Sequence, residues 1–229
     1  MPLLEVCCFD VRSAIVASEA GADRVELCRD RGSGGLTPPL QDVQQAISQV
    51  SCPVFVMVRP RGGGFVYSDS EFAEMKSCIA DLTPHAAGFV FGCLTADSRV
   101  NIEQTSELVR LANGLPCTFH RAFDETEDPH RALEEVIATG CLAILTSGAC
   151  SSAVQGAHTL TALVEQARDR VQVMPGGGVR SANLRDLQRR TNARWFHSSC
   201  ILAESVLPCK AEIKEMREIL SPTLPLPNQ

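Results

Sequence analysis

Residues 3–28 read LLEVCCFDVRSAIVASEAGADRVELC, and this stretch decides the fold. Leu3–Phe9 and Arg24–Cys28 are short apolar runs of strand type. Between them, Val11–Ala20 sets Ile15, Val16 and Ala20 on one helical face. Strand, helix and strand in this order make one parallel crossover. The turn into the helix is Phe9-Asp10-Val11-Arg12-Ser13, without a glycine. An open nucleotide-binding sheet carries its glycine fingerprint at that turn. The stretch therefore disfavours a doubly wound sheet, and with it a nucleotide cofactor.

The pattern repeats along the chain. Further strand runs are Pro53–Arg59, Gly88–Leu94, Pro116–Arg121, Leu142–Ser147, Val171–Pro175 and Trp195–Ser198. Helical patterns follow at Leu40–Val50, Asp69–Leu82, Asn101–Ala112, Asp128–Thr139, Val154–Arg168, Ser181–Arg190 and Lys210–Leu220. Start and stop signals support them: Ser68-Asp69-Ser70-Glu71 before one helix, and Pro129 and Gly140 at the two ends of another. Eight βα units predict an α/β fold, a single-domain (β/α)8 TIM barrel over residues 1–220. The proline-rich stretch 221–229 is predicted to be a flexible tail.

Composition narrows the function. The chain has 229 residues, 45% of them hydrophobic, enough for a core. Its net charge of −6 argues against a nucleic-acid-binding surface. No apolar run approaches a membrane span. Met1–Asp10 carries Glu5 and Asp10 and no basic residue, so no signal peptide is expected there. Eleven cysteines without any Cys-x-x-Cys pair point to free thiols in a reducing compartment, the cytoplasm. Lysine occurs only at 76, 210 and 214, all within helices. A Schiff-base enzyme needs a lysine at a strand end, so that chemistry and pyridoxal phosphate are not expected.

Unusual polarity collects at the carboxyl ends of the strands, where barrels of this kind place their sites. Glu5-Val6-Cys7 and Glu26-Leu27-Cys28 echo each other on neighbouring strands. Side chains alternate along a strand, so each Glu shares a face with its Cys. Either two carboxylates and two thiols converge inside the barrel, or Cys7 and Cys28 are small core residues. Arg59 and Arg61 flank a run of glycines and suit anion recognition; alternatively Arg59 pairs with Glu26. The fifth strand ends in Thr118, His120, Arg121 and Asp124, the sixth in Ser147. The seventh ends in Gly176, Gly177 and Gly178 before a helix at Ser181, the eighth in His197 and Ser198. A glycine loop and a helix N-terminus after strands seven and eight fit an anion site. His85, His130 and His158 read as surface residues.

The segments LLEVCC (3–8), GADRVELC (21–28), GGLTPP (34–39), VMVRPRGGGFVYSD (56–69), TFHRAFDET (118–126), LTSG (145–148), VMPGGGV (173–179) and FHSS (196–199) together resemble the CutC family, associated with copper homeostasis. The resemblance implies a cytoplasmic (β/α)8 barrel, in eukaryotes nuclear as well. It also implies a homo-oligomer, dimer or tetramer, that binds and traffics copper as Cu(I). Cys7 and Cys28 fall at the family's metal-linked cysteines. After Ser199 the chain departs from the family, which continues with a basic, methionine-containing stretch; here it reads CILAESVLPC.

Two functions follow. Cu(I) prefers soft thiolates at low coordination number, which Cys7 and Cys28 could supply. The alternative is an enzyme acting on a small anionic or phosphorylated substrate. It would use Glu26, His120 and Asp124 for acid–base work and Arg59, Arg61, Arg121, Ser147, Gly176, Gly177, Gly178, His197 and Ser198 for the anion.

Overall fold

The computed structural model describes residues 1–202 and 205–221. Of the expected tail, 221–229, residues 222–229 lie outside the described residues, as do positions 203 and 204 of the departing segment. Eight strands alternate with eight helices: β1 (Leu3–Cys8), α1 (Val11–Glu19), β2 (Arg24–Leu27), α2 (Leu40–Gln49), β3 (Val54–Met57), α3 (Asp69–Leu82), β4 (Gly88–Phe91), α4 (Ile102–Leu111), β5 (Cys117–Phe119), α5 (Pro129–Thr139), β6 (Ala143–Thr146), α6 (Ala157–Ala167), β7 (Gln172–Pro175), α7 (Ser181–Thr191), β8 (Trp195–Ser198) and α8 (Lys210–Leu220). All paired strands are parallel, and the sheet runs β7-β6-β5-β4-β3-β2-β1-β8. This is the predicted TIM barrel, nearly closed. Among the described residues the ladder is not continued between β7 and β8; side chains tie that seam instead. The Ser198 hydroxyl donates to the Val179 carbonyl at 2.7 Å, and Arg180 donates to the Ser198 hydroxyl at 2.9 Å.

Local chemistry accounts for the element ends. Asp10 caps α1 by accepting from the Ser13 amide at 2.7 Å. Ser68 and Glu71 form a reciprocal capping box on α3. Pro129 starts α5, and Gly140 ends it in the left-handed region at φ 85°. Several element ends differ from the sequence reading; β4, for one, stops at Phe91, short of Leu94. α6 begins at Ala157 rather than Val154, because the preceding residues turn toward β7, with the Ala153 amide donating to Gly177. The strand predicted to reach Arg121 stops at Phe119, and Arg121–Glu125 winds into a short 3-10 helix.

Strand parity sorts the core into two layers. Leu4, Val6 and Cys8, with Val25, Leu27, Val54 and Val56, face the helices and join the large apolar cluster. Cys7, Cys28, Phe55, Met57 and Val90 form a second cluster within the barrel. Burial on both faces explains why these strands read as apolar runs. No helix among the described residues is long and apolar enough to cross a membrane.

A thiol and carboxylate site beneath an arginine-lined mouth

Register places the interior charges. β1 lies between β2 and β8, so Glu5 stands level with Arg24 on one side and His197 on the other. Glu5 is fully buried; it accepts from Arg24 Nε at 2.5 Å and bonds His197 Nδ1 at 2.7 Å. Burial disfavours its charged form, but Arg24 and His197 overcome this and hold its pKa below the usual value. Arg24 is stacked between Phe55 and Trp195, at 4.0 and 4.2 Å from the ring centroids. Beyond this layer, Cys7 stands level with Glu26. The Cys7 and Cys28 sulfurs are 3.9 Å apart. One ligand atom from each of Cys7, Glu26 and Cys28 lies within 4.8 Å of the others, and all three residues are buried. Gly35, at φ +93°, closes over the pair; a Cβ there would sit 3.2 Å from the Cys28 sulfur.

The electrostatics of this group are distinctive. The hydrogen bond with Cys28 and burial both raise the Cys7 pKa well above normal. For Cys28, the hydrogen bond with Cys7 favours the thiolate, but burial and Glu26 outweigh it and push the thiol up to about 12. Burial also raises Glu26, against the pull of His197. Burial works against a charge on His197; Cys7, Glu5 and Glu26 overcome it and raise its pKa well above normal. At neutral pH the two sulfurs are therefore thiols beside an imidazolium.

A cavity of about 240 Å³ opens above the thiols. Cys7, Glu26, Met57, Arg59, His120, Arg121, Gly177, Gly178, Arg180, His197 and Ser198 are among its lining residues. Several expected residues thus meet here, but others are engaged elsewhere. Arg59 does not pair with Glu26. Its guanidinium is taken by the carbonyls of Ser33 and Gly63, at 3.0 and 2.7 Å, and stacks on Phe65. Arg61 is absent from the lining, because Glu71 and the carbonyls of Gly62, Gly64 and Val66 hold it. Gly176 is also absent from the lining; its amide donates to Thr146 in continuation of the β6–β7 ladder.

Asp124 is saturated as a bracket between β5 and β6. It accepts from the Thr146 and Ser147 hydroxyls, the Ser147 and Ala149 amides, and Arg121 Nε. The Ser147 hydroxyl in turn accepts from Arg121 and shares its single proton between Asp124 and the Cys150 carbonyl. The N-terminus of α7, expected as an anion site, is already filled. Glu212 of α8 accepts from the Ser181 amide at 2.8 Å and from its hydroxyl at 2.9 Å. His120 is buried, and burial with the charge of Arg59 lowers its pKa to about 3. Its Nδ1 accepts from the Ala122 amide, so the proton sits on Nε2. His85, His130 and His158 are exposed, as expected.

Sequence reasoning missed Arg180, Arg24 and Met57. Arg180 follows the glycine run directly and precedes α7, which was the available signal. Arg24 shares strand parity with Glu26, and Met57 shares it with Arg59.

Fold and site together define a class: a parallel (β/α)8 protein with a buried thiol–carboxylate group under a cationic mouth. Solved phosphoribosylanthranilate isomerase structures share the fold alone; a monomeric form of the dimeric enzyme from Thermotoga maritima reaches a TM-score of 0.63 at 14% identity, over 96% of this chain and 98% of that one. The chain belongs to the CutC family, whose description matches residues 2–202. The human "Copper homeostasis protein cutC homolog" is 45% identical over 198 residues, covering 86% of this chain and 72% of the relative. A CutC family protein of Xylella fastidiosa strain 9a5c is likewise 45% identical, over 86% of this chain and 74% of its own. A crystal structure of a protein described as a copper homeostasis protein CutC, from Streptococcus agalactiae, superposes with a TM-score of 0.82 at 31% identity, covering 87% of this chain and 99% of that one. The family match ends near the point where the sequence departs, yet α8 still forms and packs.

Proposed function

We propose that this chain binds Cu(I) between Cys7 and Cys28 and so serves intracellular copper handling. One observation carries the reading: two buried thiols 3.9 Å apart on adjacent strands. That spacing lets one ion touch both sulfurs at an ordinary metal–sulfur distance of about 2.3 Å. The donor set also selects the metal. Structural zinc asks for four ligands, and among the described residues only Cys7, Glu26 and Cys28 gather this closely. Two soft thiolates with a low coordination number suit Cu(I). Met57 packs in the same cluster and adds a thioether to the surroundings. The eleven free thiols support a reducing, cytoplasmic setting.

The test is an anaerobic Cu(I) titration against a competing chelator. The wild type is expected to bind one tight ion that Cys7→Ser/Cys28→Ser loses. Equal stoichiometry and affinity in the double variant would overturn the assignment.

A further inference from the structure

The mouth above the thiols contains more cationic equipment than a two-sulfur metal site uses. Three arginines line the cavity, and their partners differ in kind. Arg121 is neutralised by Asp124 at 2.8 Å. Arg59 and Arg180 have no acidic partner among the described residues. Arg59 donates to the carbonyls of Ser33, Gly35 and Gly63. Arg180 donates to the carbonyls of Val179 and Ile201 and to the Ser198 hydroxyl. Neutral acceptors orient a guanidinium without cancelling its charge. Arg59 is only 7% exposed, and burying an unpaired charge is costly.

A purely structural arginine would spend all its donors on the loops it holds. Arg59 does not: its buried Nε has no hydrogen-bond partner. The same is true of His120 Nε2, the atom that carries the proton, and of Glu26 Oε1. All three side chains are at least nine-tenths buried and line the same cavity. Buried polar groups are nearly always satisfied. Two unpaired donors and two arginines without an acidic partner among the described residues favour an oxyanion over a neutral ligand. One unpaired carboxylate oxygen beside them suits a hydroxyl on the same molecule.

We infer that the cavity is a binding site for a small hydroxylated organic anion, its phosphate or carboxylate held by Arg59 and Arg180 and its hydroxyl by Glu26. Gly177 fits this arrangement. At φ +89° it carries no side chain where a Cβ would lie 3.4 Å from the Arg121 guanidinium carbon. The Ser181 amide and hydroxyl at the α7 N-terminus are taken by Glu212 and are not donors to the site. The inference stands independently of copper, although Cys7 lines the same cavity.

The experiment is isothermal titration at fixed ionic strength with D-ribose 5-phosphate, citrate and inorganic phosphate, and with neutral ribose as control. Saturable binding of at least one organic anion is expected, with none for ribose. Arg59→Gln and Arg180→Gln should each weaken it tenfold or more, while Cys7→Ser/Cys28→Ser keeps it. Binding of ribose 5-phosphate but not citrate identifies a phosphate monoester, and the reverse a carboxylate. No saturable binding of any anion, or equal binding in both arginine variants, overturns the inference. Hydrogen exchange on the wild type keeps the test independent of how those variants fold. Protection by the bound anion confined to residues 57–65, 118–121 and 177–181 supports the site, and protection elsewhere refutes it. Copper titration of the same arginine variants separates the two readings, because loss of the anion should leave the thiol pair able to take its ion.

Discussion

At the scale of single residues, the interior charges carry definite costs. Removing one partner of a buried pair leaves the other unpaired, at about 3–5 kcal/mol. Glu5→Gln is expected to destabilise the fold by about that amount, since it strands Arg24, and Glu5→Gln/Arg24→Met should recover part of the loss. Urea unfolding followed by the fluorescence of Trp195, the single tryptophan, which lies against Arg24, measures both. His120 gives a pH signature. Its folded pKa of about 3 lies below the ordinary 6.5, so between those values the unfolded chain binds a proton that the folded chain refuses. Stability therefore falls as pH drops through that window, by at most about 1.4 kcal/mol per pH unit from this group, and is unaffected by it above. His120→Gln should flatten that part of the profile; an unchanged slope would contradict the assignment. The thiols predict a dependence of the same sign for metal, in a higher pH range. Because both hold their protons at neutral pH, Cu(I) must displace them, and affinity should rise by up to about tenfold per pH unit for each proton released. Chelator competition at several pH values reads this directly.

At the scale of elements, the sequence was most legible where side-chain alternation operates within one strand. Glu5 with Cys7, and Glu26 with Cys28, share the interior face because a two-residue period is local. Partnerships between strands were not legible in the same way. Glu5 meets His197, 192 positions away, only because β8 closes onto β1 in one particular register. The alternative of an Arg59–Glu26 pair fails for a related reason: loop carbonyls from Ser33 and Gly63 reach Arg59, and no strand pattern announces a loop's path. The α7 N-terminus was misread because its occupant, Glu212, comes from the next helix. That contact makes its own prediction. Glu212→Ala leaves the Ser181 amide and hydroxyl uncapped and should cost about 0.5–2 kcal/mol. It should leave anion binding at the mouth unchanged in the same titration.

At the scale of the whole molecule, eight repeats of one unit made the architecture readable, since each crossover carries its own strand and helix signals. The seam between β7 and β8 was not readable, because Arg180 and Ser198, rather than a backbone ladder, hold it. Any ligand bound only by the native barrel stabilises all of it together. Cu(I) in hundredfold excess over its dissociation constant should add about 2.7 kcal/mol to unfolding, and an anaerobic thermal scan with and without the ion checks this.

The Arg24 sandwich between Phe55 and Trp195 has a consequence for traffic. It stoppers the amino-terminal end, so the barrel is a flask and not a conduit. Whatever reaches the thiols leaves by the neck through which it came, past Arg59, Arg121 and Arg180. Filling that neck with an anion should then slow the escape of copper to a chelator in proportion to occupancy, and stopped-flow transfer with and without the anion measures the delay.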